Sequence, residues 1–148
     1  MTTVLVLNGP NLSRLGSREP EIYGSETLSD IEKGLRERLP DGVALDFRQS
    51  DDEATLIGWL HEAADATTPV IFNPAAFTHY SYALRDACQI VTDAGVVIIE
   101  VHLSNPHARE TFRHTSVISG AVGGVIAGFG AQSYHLALSR ILTLLERN

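Results

Sequence analysis

The feature that most constrains this chain is the regular alternation of short apolar runs with helix-spaced segments. Val4-Leu5-Val6-Leu7 is a continuous apolar run stopped by Asn8-Gly9-Pro10, as in a strand covered on both faces. Leu28, Ile31 and Leu35 then fall at helical spacing until Pro40-Asp41-Gly42 ends the helix. Val43-Ala44-Leu45-Asp46-Phe47 alternates and suits a second strand nearer an edge. A helix from Asp52 carries Leu56, Ile57, Leu60, Ala63 and Ala64 on one face. Pro69-Val70-Ile71-Phe72 reads as a third strand, followed by a helix over about residues 78–91. Val96-Val97-Ile98-Ile99 is a fourth strand ending at Glu100-Val101-His102, and Gly124-Val125-Ile126-Ala127-Gly128 a fifth. Leu138, Ile141, Leu142 and Leu145 mark a closing helix.

Strands alternating with helices imply right-handed crossovers and a parallel sheet covered on both faces. Five such units in 148 residues predict a flavodoxin-like, doubly wound α/β fold with a five-stranded sheet. Without a repeat, linker or low-complexity segment, residues 1–148 read as a single domain. Ligands of such sheets bind outside the carboxyl ends of the strands.

Composition narrows the partners. An apolar share of 44% with 20% charged residues is that of a folded globular chain. A net charge of −7 argues against nucleic acid and against an anionic membrane. Met1-Thr2-Thr3 runs straight into the first strand without a basic leader, and the weakly polar stretch 121–131 is too short to span a bilayer. The lone Cys88 excludes an internal disulfide and suits the cytoplasm. It reads as a small packing residue rather than a nucleophile.

The polar residues that need explaining follow strands one, three and four, and so share one sheet edge. After the first strand come Asn8, Asn11, Arg18 and Tyr23, in a connection of roughly seventeen residues that is long for its place and suits a lid over about 12–25. Gly16 and Gly24 bracket a possible hinge; merely solvated arginines are the alternative. After the third strand come Asn73, Thr78 and His79. If the helix starts near Thr78, His79 and Asp86 lie two turns apart on one face. Alternatively, Thr78 caps that helix and Asp86 bonds to local backbone.

The third group is the densest. Strand alternation puts Glu100 and His102 on the same side. A carboxylate beside an imidazole fixes its tautomer and favours proton donation. Ser104, His107, Arg109, Arg113 and His114 follow. A metal is not expected, because no HExxH or Cys/His ligand spacing is present and the arginines would repel a cation. Arg109 and Arg113, at i and i+4, suit an anion such as a carboxylate. Gly128-Phe129-Gly130 matches neither GxGxxG nor GxxxxGK[ST] and reads as a tight strand-to-helix turn. Lys33 is the sole lysine and lies off the apolar face of its helix, so Schiff-base chemistry is not expected.

Several ordered blocks together resemble one family, the type II 3-dehydroquinate dehydratases. The resemblance rests on residues 7–12 (LNGPNL), 18–24 (REPEIYG), Asn73-Pro74, Thr78-His79, 83–86 (ALRD), 100–105 (EVHLSN), 107–110 (HARE) and 112–114 (FRH), and it covers nearly the whole chain. It implies a cofactor-free anti elimination of water from 3-dehydroquinate through an enolate, in the shikimate or quinate pathway, and a dodecamer built from trimers.

By the same resemblance Tyr23 removes the C2 proton, helped by Arg18, because a nearby cation stabilises a phenolate. Asn11 steadies the enolate oxygen through a water. His102 protonates the departing C1 hydroxyl while Glu100 holds its ring. Asn73, His79, Asp86, the backbone at Leu103 and Ser104, and Arg113 hold the substrate, and Arg109 works at the loop's edge or in the assembly. The chain departs from the family where Ala75 replaces a usual glycine, Phe77 a frequent tyrosine, and Tyr80 and Tyr82 smaller residues.

Two rivals remain open. A flavodoxin-like binding module for a nucleotide or phosphorylated molecule needs a phosphate loop after strand one, where Pro10 offers no amide donor. An inactive homologue kept for assembly is the other.

Overall fold

The computed structural model describes residues 1–17, 19–23 and 25–147, Tyr23 by its backbone alone. Five parallel strands, β1 (Thr2–Asn8), β2 (Val43–Gln49), β3 (Val70–Asn73), β4 (Ile98–His102) and β5 (Gly124–Ala127), form one sheet in the order β2-β1-β3-β4-β5. The helices are α1 (Pro20–Tyr23), α2 (Leu28–Arg36), α3 (Glu53–Ala66), α4 (Tyr82–Asp93) and α5 (Gln132–Glu146).

Strand alternation divides the core in two. Leu5, Leu7, Val70, Phe72 and Ile98 face Leu56 and Leu60 of α3 and Leu84 and Val91 of α4. Val4, Val6, Ile71, Ile99 and Val101 face Ile31 and Leu35 of α2 and Leu138 and Ile141 of α5. Both sides of the central strands are therefore apolar, which explains their unbroken hydrophobic runs. β2 is indeed an edge, fastened to α3 by Arg48, which bonds Asp46 at 2.7 Å and Glu62 at 2.6 Å and lies over Trp59.

Local chemistry sets the helix starts. Thr27 and Asp30 form a reciprocal capping box at α2, and Asp52 caps α3. Ser81, not Thr78, caps α4 by accepting the Leu84 amide at 3.1 Å. The helix expected over 78–91 is thus two pieces, a 3-10 turn (Ala75–His79) and α4. β4 also begins two residues later than the apolar run, because its register with β3 pairs Ile98 with Val70. Gly128 and Gly130 make the expected tight turn, with positive φ and amides bonded to the carbonyls of His102 and Leu103. The long connection after β1 holds a 3-10 turn (Leu12–Arg14) and α1, and Leu12 and Leu15 are buried. Among the described residues no helix is long and apolar enough to cross a membrane.

Candidate active site

The sheet order reverses between β1 and β3, where adjacent crossovers leave in opposite directions and open a crevice. β1, β3 and β4 all discharge into it. Pro10 and Asn11 line it from the first, Asn73, Ala75 and His79 from the second, and His102, Leu103, Ser104, Arg109 and Arg113 from the third. Gly9 lets the first two meet, since a Cβ there would lie 2.7 Å from the Pro74 carbonyl oxygen.

Glu100 and His102 share the face that the alternation assigns them. Nε2 of His102 lies 2.5 Å from Oε2 of Glu100, and Glu100 is fully buried. A carboxylate can only accept there, so Nε2 carries the hydrogen and Nδ1 is the nitrogen left for the pocket. Burial alone would push the Glu100 carboxyl up. The bonds from His102, Ser119 and Thr78 outweigh it and hold the group below its ordinary 4.5.

His79 donates from Nδ1 to the Thr115 carbonyl at 2.9 Å, because a carbonyl can only accept. Burial lowers its proton affinity, with His102 and Arg113 adding to the effect, and the Thr115 bond does not reverse it. A neutral His79 therefore presents Nε2 as an acceptor, suited to a ligand hydroxyl.

Asn73 is buried and partly committed to the framework. Its side chain accepts the Ala75 amide at 3.0 Å and donates to the Tyr134 hydroxyl at 2.9 Å. Tyr134 donates in turn to Asn8 at 2.7 Å, and Asn8 to the Arg48 carbonyl at 2.9 Å. One amide hydrogen of Asn73 remains for a ligand. Ala75 sits at φ 52°, a left-handed backbone better suited to glycine. Asn11, at φ 69°, is exposed at the rim, its amide on Asp51 at 2.9 Å.

Positive charge comes from Arg113 and Arg109, whose side chains are only 15% and 11% exposed. Arg113 rests its Nε on Glu110 at 3.1 Å, and Arg109 donates to Ser104 Oγ at 3.2 Å. Arg109 thus lines the pocket itself.

Asp86 is brought elsewhere. His79 belongs to the 3-10 turn and Asp86 to α4, so they do not share a helix face as expected. The Asp86 side chain is 78% exposed beside Arg85, away from the pocket lining, and bonds no local backbone. Arg18 and Gly24 lie outside the described residues, as does the Tyr23 side chain. Among the described residues no group of three His, Cys, Asp or Glu side chains is placed to hold a metal. Cys88 is buried, which, with Glu100 nearby, pushes its thiol up to about 12 and leaves it unreactive.

Sequence reasoning missed the hydroxyl groups behind Glu100, from Thr78, Ser116 and Ser119, and it missed Tyr134. Only the clustering of Ser and Thr between residues 115 and 119 hinted at the first set.

Comparison with known proteins shows the family. The family model for dehydroquinase class II matches residues 2–142. A 3-dehydroquinate dehydratase of Rhizobium meliloti (strain 1021) is 53% identical over 148 residues, 99% of this chain and 98% of the relative. The crystal structure of type II dehydroquinase from Propionibacterium acnes is similar at a TM-score of 0.89 and 49% identity, covering 97% of each chain. That from Butyrivibrio crossotus has the same TM-score at 39% identity, covering 94% of this chain and 96% of the other. The match spans the strands, the switch point and every segment that builds the pocket: the chain belongs to the class II dehydroquinase family, and its function is that of a type II 3-dehydroquinate dehydratase, a hydro-lyase.

Proposed function

We propose that the pocket converts 3-dehydroquinate to 3-dehydroshikimate by an anti elimination of water through an enolate, with the proton acceptor and the proton donor on opposite faces of the ring. The observation that carries the reading is the buried Glu100–His102 pair, which ends in a single imidazole nitrogen at the pocket. Hydroxide is a poor leaving group, and a positioned imidazolium removes that difficulty by protonating the C1 hydroxyl as it departs. Glu100 holds the ring by accepting from its Nε2. The proton next to the ketone yields to a base of moderate strength once the enolate is stabilised. Tyr23, as tyrosinate beside Arg18, takes that C2 proton, and Asn11 steadies the enolate oxygen through a water. The segment 12–25, with Leu12 and Leu15 buried near its start, serves as the lid of the site.

Arg113 binds the substrate carboxylate, with Arg109 beside it. Neutral His79, the spare Asn73 hydrogen and the backbone at Leu103 and Ser104 take the hydroxyls. The step serves the shikimate pathway of aromatic amino acid biosynthesis in the cytoplasm, with neither metal nor cofactor. The working assembly is a dodecamer. Asp86 stands outside the pocket of its own chain, so its substrate contact requires a neighbouring protomer.

The ultraviolet absorbance of the enone product tests the reaction. The parent protein is expected to turn over 3-dehydroquinate in the presence of borohydride and chelator, and Tyr23→Phe and His102→Ala to lose that turnover. No absorbance change from folded parent protein contradicts the reading. Light scattering is expected to give twelve chain masses.

A further inference from the structure

Glu100 is served by more than its histidine. Thr78 Oγ1 lies 2.6 Å from Oε2, and Ser119 Oγ lies 2.6 Å from Oε1. Thr78 also meets Ser116 Oγ at 2.5 Å. Ser116 Oγ accepts the amides of Ile118 at 3.1 Å and Ser119 at 3.0 Å. These contacts fix the direction of every hydrogen. The carboxylate is an acceptor only, so Thr78 and Ser119 must donate to it. Thr78 has spent its one hydrogen, so Ser116 must donate to Thr78. Ser116 can do so because both of its own incoming bonds come from backbone amides. A one-way chain therefore runs from the backbone at 118–119 through Ser116 and Thr78 to Glu100.

None of these three hydroxyls lines the pocket that Asn73 and Ser104 line. They line a neighbouring cavity that shares His79, His102 and Arg113 with that pocket. The hydrogen bonds of Thr78 and Ser119 lead to His102 through Glu100.

We propose that Ser116, Thr78 and Ser119 are positioning residues for the elimination, which keep Glu100 a pure hydrogen-bond acceptor so that His102 keeps its Nε2 hydrogen while it donates a second one from Nδ1. The proposal rests on the reading of His102 as the acid. With His102 as its sole partner, a carboxylate buried this completely would compete for the imidazolium proton, and the pair would become neutral. Two further donors remove that tendency. They also pin both carboxylate oxygens, and with them the plane of the imidazole and the aim of Nδ1. The titratable and charged groups facing the pair are Cys88 from α4, His79 from the turn after β3, and His107, Arg113 and His114 from the loop after β4. None of these is a carboxylate, so Glu100 is the acid group whose protonation would silence the pair at low pH.

Thr78→Val, Thr78→Ser and Ser119→Ala test the proposal in the full-length protein, with kcat and KM for 3-dehydroquinate measured across pH. Thr78→Val and Ser119→Ala are each expected to lower kcat about tenfold, the rate equivalent of one hydrogen bond to a charged group. KM stays within about twofold, because Thr78, Ser116 and Ser119 do not line the pocket. The acid limb of the kcat profile moves to higher pH, since Glu100 then takes up a proton more readily. Thr78→Ser restores both. A folded Thr78→Val with parental kcat and acid limb overturns the proposal. So does equal impairment of Thr78→Val and Thr78→Ser with the limb unmoved, the result of a packing role alone. Nitrogen-15 NMR of the ligand-free protein reads the His102 Nε2 proton without any turnover. A displaced signal in Thr78→Val and Ser119→Ala supports the proposal and an unmoved signal overturns it, whereas a folded parent that forms no enone overturns the reading of His102 as the acid.

Discussion

Two polar networks are buried beneath the same pocket, Asn8–Tyr134–Asn73 and Ser116–Thr78–Glu100–His102, and they differ in charge and in where they end. The first is neutral and runs from backbone to backbone. It joins the Arg48 carbonyl of β2 to the Ala75 amide through β1, α5 and β3, and at the pocket it leaves one Asn73 hydrogen over. The second contains a fully buried carboxylate and ends on an imidazole that faces open space. The first fixes the crevice at the switch point, where three strands must end in register. The second buries a charge and presents its imidazole to the pocket. Loss of a member should therefore cost stability in one case and rate in the other.

The largest effect is expected at the open end of the charged network. His102→Ala should lower kcat on 3-dehydroquinate by about 10²–10⁴-fold, the usual worth of a general acid, with the fold kept as judged by circular dichroism. A Tm loss that accounts for the lost rate would erase the contrast with the neutral network.

Tyr134→Phe probes the neutral network. It strips the hydroxyl from between Asn8 and Asn73 and leaves both buried amides short of a partner. Chemical denaturation should show a loss of about 1–3 kcal/mol, with kcat changed far less than by His102→Ala. A large kcat effect at unchanged stability would assign Tyr134 to the chemistry instead.

Proton linkage separates the regions by pH. Burial lowers the proton affinity of His79, beside the charged network, and of His135 on α5, both below their ordinary 6.5. The unfolded chain thus takes up these protons first as pH falls. Their contribution to stability is complete above 6.5 and is lost as pH falls through the folded values. Glu100 acts lower, its contribution present above 4.5 and lost as pH falls through its depressed value. Tm should therefore decline from about pH 7.5 to about pH 5.5, and His79→Gln with His135→Gln should flatten that decline.

The smallest effect belongs to Ala75, whose left-handed φ of 52° lies where the neutral network meets the pocket. Ala75→Gly removes the strain of roughly 1–2 kcal/mol but adds unfolded-state entropy, for a net gain of about 1 kcal/mol or less. Tm measurement is sufficient to detect it.

How much of this was legible depends on what leaves a periodic trace. The layers were legible because Leu5, Leu7, Val4 and Val6 alternate inside one apolar run, and Leu56 and Leu60 repeat at helical spacing. Glu100 and His102 were legible as a pair because a strand has a period of two. The expected helix at 78–91 went astray because Thr78 resembles a cap while its hydroxyl is spent on Glu100 and Ser81 caps instead. Ser116 and Ser119 lie 38 and 19 residues from their partners Thr78 and Glu100, and a hydroxyl at such a separation has no local signature. Tyr134 was hidden within an amphipathic helix, where its ring counts as one more core residue. Asp86 was read onto the His79 face only because the break between the 3-10 turn and α4 is silent in the pattern.

The account stands or falls on the division of labour between proton acceptor and proton donor. The most direct measurement is to incubate His102→Ala with 3-dehydroquinate in deuterium oxide and follow both the C2 proton and the enone. The account predicts that deuterium enters C2 while almost no enone forms, because the enolate is made but its hydroxyl cannot leave. Enone formation at the parental rate, or no exchange at C2 in folded protein, would contradict it.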